Sequence, residues 1–344
     1  MDQLRPEALK EKFDGRCRQR SLLKGAAIFL SGALLFVVCV LGVAMSSSTY
    51  AMMIWAVLKG LSIGLLFIIG HDACHSALTP NRLINHLLAR LAFLPSLTPF
   101  TAWKLGHNCL HHGWTNLKGK DYVWTPYSVA EFRCLSAARR KLEKIYRTPL
   151  GVCLYALIEI WWKHMIHPRS TDREKMSRFG YHSDRLLVIA FLALDYSVMI
   201  AVSPRALTPL ILVTFLIVGI VIPLLIWNWM FGFLIFMHHT HPRIRWYDKQ
   251  DEWSFYLGQV QGTVHIVFPS IIGILLHNIM EHTAHHVDPR IPLYALAKCQ
   301  RRLEASFPNA VIVEHWSPKY FMNLLSSCQL YDYENKRWLT FEGS

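Results

Sequence analysis

No Cys-x-x-Cys pair occurs in the chain. Its eight cysteines, at 17, 39, 74, 109, 134, 153, 299 and 328, are scattered, which excludes a thiolate metal or redox motif of that spacing. By the topology argued below nearly all of them fall in membrane or cytosol, so disulfides are not expected. Charge is scarce and lopsided: charged residues make up 17% of the chain, with 23 acidic against 36 basic and a net charge of +13. Such an excess can signal a nucleic-acid partner. Here the basic residues flank apolar segments and form no reading helix or stacking platform, so contact with anionic lipid head groups is the expectation over a nucleic-acid partner. A cleavable leader is not expected either, because the first apolar run is long and follows an extended polar segment.

Long apolar runs are abundant. The chain is 53% hydrophobic, with mean hydropathy +0.25, well above an ordinary soluble domain. Residues 26–45 form an uninterrupted apolar run of the roughly 20 residues that cross a bilayer core. Ser46 to Tyr50 turn the chain, and 51–70 return it. A second hairpin is expected from 186–202 and 210–236, turning at Ser203-Pro204-Arg205, with Pro223 a possible kink. Arg5, Lys10, Lys12, Arg16, Arg18, Arg20 and Lys24 precede the first span, and 139–185 is equally basic, whereas the hairpin turns hold only Arg205. The positive-inside bias then puts both termini in the cytoplasm. The expectation is an all-α integral membrane protein, one domain over 1–344: four transmembrane helices in two hairpins, and a cytosolic helical cap from 71–185 and 237–344 holding a dimetal site.

The metal site is read from histidine. HDACH supplies His71 and His75; HNCLHH supplies His107, His111 and His112; HTAHH supplies His282, His285 and His286; HHTH adds His238, His239 and His241. Spacings of three to five residues stack imidazoles on one side of a helix. One such pair is more often a satisfied polar pair; four clusters on the same side of the membrane are not. Neutral imidazole suits iron, zinc or copper, and so many ligands exceed one tetrahedral ion, so two metal ions are expected. Cys74 and Cys109 lie inside the clusters but off the histidine face, and packing is the expected role.

Between the clusters, 83–100 is too short to span and reads as a surface or re-entrant helix, 150–165 with Trp161 and Trp162 reads as interfacial, and 264–276 reads as a buried helix under the site rather than a fifth span. The tail after Arg302 reads as a small polar cap. Two charges inside spans, Lys59 and Asp195, lie at matching depth; a charge in hydrocarbon costs about 2.5–3.5 kcal/mol on insertion scales, so they are expected to pair between helices, or else Lys59 snorkels and Asp195 bonds a hydroxyl such as that of Tyr196. Asp72, Asn108, Asn278 and Glu281 are candidates to orient ligand imidazoles, or only to cap helices. Trp103, Trp124 and Tyr122 could line an acyl tunnel or pack at the lipid interface. Lys118, Lys120 and Arg290 could meet a head group or an acidic donor, or face solvent.

A zinc hydrolase would want an open water position and a carboxylate base, which Glu281 or Asp72 could provide; a transporter would want more polar residues along its spans. Many neutral imidazoles on iron beside a membrane suit dioxygen activation and C–H oxidation of an apolar chain.

In order, spacing and placement after the spans, HDACH, HNCLHH and HTAHH resemble the three histidine boxes of the membrane fatty acid desaturase superfamily. HNIMEHTAHHVDPRIPLY and HHTHPRIRWY are similar to the corresponding stretches of acyl-lipid desaturases of the Δ12 and ω-3 type. The resemblance implies a cofactor of two iron ions, O2 as co-substrate, a four-helix stalk with a cytosolic cap, and desaturation of an acyl chain in a membrane lipid or thioester. It implies nine ligands, His71, His75, His107, His111, His112, His282, His285 and His286 with His239 as the ninth in preference to His238 or His241. Hydroxylases and carotenoid oxygenases share these boxes, and Cys74 and Ser76 depart from the usual first box, which leaves the substrate open. His167-Pro168 and His241-Pro242 lack the glycines of a cytochrome b5 haem motif, so the implied electron donor is a separate ferredoxin or cytochrome b5.

Overall fold

The computed structural model describes residues 6–11, 13 and 15–343; Arg5 and Lys12, counted above among the basic residues, lie outside them. The chain is mostly helical and divides into two units, residues 20–105 with 156–231, and residues 1–19, 106–155 and 232–344.

Four helices are long and apolar enough to cross a membrane: α1 (Leu22–Met45), α2 (Thr49–Cys74), α3 (Arg178–Val202) and α4 (Pro209–His239). The protein is an integral membrane protein. Each helix starts at a hydroxyl cap. Ser21, Ser48, Ser177 and Thr208 accept from the backbone N–H of Lys24, Ala51, Gly180 and Ile211, relieving donors that have no partner inside the helix. Hydropathy alone starts the spans later, since it does not register the polar first turn. The largest difference is in α3, which begins at Arg178 rather than 186.

The first unit holds most of each span. α2 packs closely against α4 through small residues: a Cβ at Gly60 would meet Ile226 at 2.6 Å, and one at Gly64 would meet Met230 Sδ. This is how helices approach where hydrocarbon supplies no hydrophobic drive. Leu30 and Leu34 of α1 are exposed, as a lipid-facing side requires. Lys59 and Asp195 pair as expected, Nζ to Oδ2 at 2.7 Å, both buried; Tyr196 instead donates to Leu212 O. Lys59 Nζ also donates to Gly219 O at 2.8 Å. Pro223 has no N–H, so it cannot engage that carbonyl four residues back. The helix absorbs the proline with a π-turn at Phe215–Val221, and the ammonium supplies the donor. Arg82–Phe93 forms a helix capped by Asn81, with Leu83, Leu87 and Leu91 exposed along one stripe; it covers only the first part of the helix expected over 83–100, because the chain turns after Phe93.

The other unit builds its core from segments distant in sequence. Leu9, Phe13 and Cys17 are buried, and Cys17 is disulfide-bonded to Cys299 with Cα atoms 6.1 Å apart. This corrects the expectation of no disulfide, which weighed compartment and not proximity. Residues 264–276 are not one buried helix. β1 (Val264–Val267) pairs in parallel with β2 (Ile312–His315), and a separate short helix, Ser270–Leu275, leaves Ile271, Ile274 and Leu275 exposed. Valine and isoleucine runs of this length fit a buried strand as well as a helix. The tail likewise carries an antiparallel pair, β3 (Leu330–Asp332) with β4 (Arg337–Leu339), so short strands interrupt the expected all-α pattern. The third histidine cluster lies on α5 (His282–Val287), followed by α6 (Leu296–Ser306), which holds Cys299.

Candidate metal centre

The second cluster does not sit on an α-helix. Lys104–His111 is π-helical and passes into a short α-turn, His112–Trp114. A π-turn widens the repeat beyond 3.6 residues, which brings residues four and five apart onto one side and is common at functional sites. His111 and His112 therefore both stay with His107. Third-cluster imidazoles come from α5, whose histidines are all buried, and His239 from the last turn of α4.

Within the unit that holds these elements, His111, His239, His282 and His286 each place one ring nitrogen within 4.8 Å of the others, and so do His107, His112 and His285. His111 Nε2 is 3.1 Å from His239 Nε2, which is 3.0 Å from His282 Nε2. In the second set His112 Nε2 is 3.1 Å from His107 Nε2 and 3.2 Å from His285 Nε2.

For His111 and His239 the other ring nitrogen explains why their Nε2 pair is not a hydrogen bond. His111 Nδ1 faces the Asp121 carboxylate at 3.0 Å, His286 Nδ1 faces Gln259 Oε1 at 2.7 Å, and His239 Nδ1 faces Gly262 O at 3.4 Å. A carboxylate and a carbonyl only accept, so each Nδ1 carries the proton and each Nε2 a lone pair. Lone pairs facing each other at 3 Å repel unless a cation lies between them. Two imidazoles bound to one divalent ion at about 2.1 Å and at right angles would stand about 3.0 Å apart, which is the spacing observed. Burial, together with neighbouring imidazoles, holds His282 and His286 well below the usual histidine range, so they are neutral at pH 7 and free to coordinate. The donor set fits two metal ions.

Asp121 and Gln259 escaped the sequence reading. Asp121 Oδ2 also accepts from Asn116 N at 2.9 Å, which locks the carboxylate. Gln259 Nε2 donates to His112 O at 3.0 Å, so one amide ties the second cluster to the third. Nothing in the spacing of either residue marks it.

The other residues singled out from the sequence distribute as follows. His71 and His75 close α2 in the unit of the spans, with rings 5.0 Å apart, and Asp72 is buried between them. His238 Nε2 faces Met280 Sδ at 3.2 Å, and its ring stacks on His282. His241 Nε2 faces Glu314 at 3.2 Å while its Nδ1 accepts from Arg243 N, so both nitrogens are engaged elsewhere. Cys74 is buried but Cys109 is exposed, so packing holds only for the first. Asn108 is half-buried; Asn278 adopts φ 56° and reaches Leu293 O; Glu281 precedes α5 without capping it, and burial pushes its carboxyl up. Trp103 packs edge-on against Phe67, Trp124 stacks on Tyr155, and Tyr122 O accepts from the Tyr155 hydroxyl. Lys118 is paired with Glu131, Arg290 with Asp288, and Lys120 lies over Trp114.

Residues 47–318 match the family model described as fatty acid desaturase. Among curated relatives, an omega-6 fatty acid desaturase, chloroplastic, of Brassica napus is 28% identical over 80% of the chain and 59% of its own length, and its Arabidopsis thaliana counterpart is 29% identical over 80% and 58%. An sn-1 oleoyl-lipid 12-desaturase of Synechocystis sp. is 28% identical over 83% of the chain and 78% of its own length. The chain thus spans under two thirds of the chloroplastic relatives.

Proposed function

Because the chain belongs to the fatty acid desaturase family, we propose that it removes two hydrogens from adjacent methylenes of an acyl chain, in a membrane lipid or acyl thioester, with O2 as co-substrate. The observation that carries this reading is the buried set His111, His239, His282 and His286, in which the outward nitrogens of His111, His239 and His286 are fixed by Asp121, Gly262 O and Gln259. With His107, His112 and His285, and with the first-box pair His71 and His75, these are the proposed ligands of two iron ions. When bound, the iron pair supplies dioxygen activation and hydrogen abstraction from an unactivated carbon.

The protein's own contribution is orientation and exclusion of water. Asp121 keeps His111 in the tautomer that presents Nε2, and Gln259 does the same for His286. Burial of all the boxed histidines except His75 keeps solvent from a reactive centre. On the proposed topology both termini and the centre face the cytoplasm, as the basic flanks favour, and electrons come from a separate ferredoxin or cytochrome b5.

The test is the fatty acid profile of a host expressing the chain, read by gas chromatography and mass spectrometry, with His285→Ala as control. A new double bond present only with the intact chain is the expected result and gives its position. An unchanged profile from folded, iron-loaded protein, or an alcohol in place of an alkene, overturns desaturation; the alcohol would assign the chain to hydroxylation by the same centre.

A further inference from the structure

Arg147 is a buried cation that no carboxylate among the described residues pairs with directly. It is only 9% exposed, and among the described residues no hydrogen bond or ion pair engages its guanidinium; Nη1 is fully buried and unpartnered. Glu143, one turn earlier, is bound by Arg139 at 2.5 Å. The thiol of buried Cys328, which burial pushes up to about 12, stays neutral and supplies no negative charge.

Aromatic rings hold the guanidinium. Its carbon lies 4.7 Å from the centroid of Trp124 and 5.6 Å from that of Phe236. Trp124 is itself pinned, stacked on Tyr155 at 3.6 Å with its backbone N–H donating to the Tyr155 hydroxyl. It adopts φ 53°, a left-handed conformation that a bulky residue keeps only where its surroundings impose it. Its indole N–H is buried and also unpartnered. Ring faces offset part of the cost of burying a charge, but they satisfy no N–H donor, and a buried cation is ordinarily paired.

We propose that Arg147 and the Trp124 indole N–H form a binding site for one phosphate of an anionic phospholipid. The surroundings favour a lipid as its source. Arg147 directly follows the helix Ala137–Tyr146, which carries Arg139, Arg140, Lys141 and Lys144, and its sequence neighbours Ile145, Thr148, Pro149 and Leu150 are exposed, so the chain reaches the surface on either side of the buried guanidinium. Exposed apolar side chains beside clustered cations are what an anionic membrane surface attracts. The inference does not depend on the proposed activity.

The full chain in neutral detergent, titrated with phosphatidylglycerol and read by native mass spectrometry, tests it. One tightly held phosphatidylglycerol is expected, with Arg147→Gln weakening it about tenfold, the loss carried by one charge-assisted hydrogen bond. Lys141→Gln, on the exposed face of the helix, should weaken it much less. Trp124→Phe removes only the indole N–H, keeps the ring, and should also weaken binding; it carries the test if Arg147→Gln does not fold. Equal effects of Arg147→Gln and Lys141→Gln, or no bound lipid, overturn the proposal. Displacement by millimolar inorganic phosphate would assign the site to a soluble anion and overturn the lipid.

Discussion

Asp121 Oδ1 stands 3.0 Å from His111 Nδ1, while the same carboxylate, through Oδ2, accepts from the backbone N–H of Asn116 at 2.9 Å. The carboxylate is thus immobilised before it orients the imidazole. Asp121→Asn keeps the shape but loses the charge and can present an amide to Nδ1, favouring the wrong tautomer. Metal affinity should drop about 10- to 100-fold, the usual effect of losing an outer partner. Iron per chain, measured by plasma emission after dialysis against a weak chelator, reads this directly; full retention would mean that Asp121 only closes the loop.

His239 and His241 should separate cleanly. His239 shares its Nε2 with His111 and His282, whereas His241 spends one nitrogen on Glu314 and the other on Arg243 N. His239→Ala is expected to lose one of two bound metal ions, and His241→Ala to keep both. If His241→Ala also loses metal without unfolding, the ninth ligand has been assigned to the wrong histidine.

The readable parts of this chain were local. Hydropathy found the spans, spacing found the histidine boxes, and depth along a helix found Lys59 and Asp195, because each depends on neighbours in sequence or on distance from a membrane surface. What escaped depends on contacts across the fold. Gln259 meets His112 O from 147 residues away, and Cys17 meets Cys299 from 282 away; no periodicity encodes either. Residues 264–276 differ from the expected helix for another reason. Val264, Ile266 and Val267 suit a strand, but only the arrival of 312–315 as a partner decides between strand and helix.

Lys59 and Asp195 are buried together, and the ammonium also serves Gly219 O. Lys59→Met leaves a buried carboxylate uncompensated, and breaking a buried pair from one side costs about 3–5 kcal/mol. Asp195→Leu should cost a comparable amount. The double variant Lys59→Met/Asp195→Leu should recover most of the loss but not all, since Gly219 O still lacks its donor. Thermal unfolding in detergent compares the three, and a double variant as unstable as the sum of the singles would show that the two charges act separately.

Glu304 gives the unit that holds α5 a defined response to acid. Burial alone would push its carboxyl up, but hydrogen bonds from His265 Nδ1 at 2.6 Å and from Gln300 Nε2 at 2.9 Å outweigh it and hold the group below the usual carboxylate range. Gln300 Oε1 in turn accepts from Ala284 N on α5 at 2.8 Å, so the network reaches the third histidine cluster. A depressed folded pKa means that the unfolded chain binds the proton more readily. The stabilisation is therefore fully present above the ordinary carboxylate pKa, about 4, and is lost as pH falls through the lower folded value. Glu304→Gln should lower Tm at neutral pH, and the gap to the wild type should close as pH is taken below about 4. A gap that stays constant with pH would show that the carboxylate contributes shape and no charge.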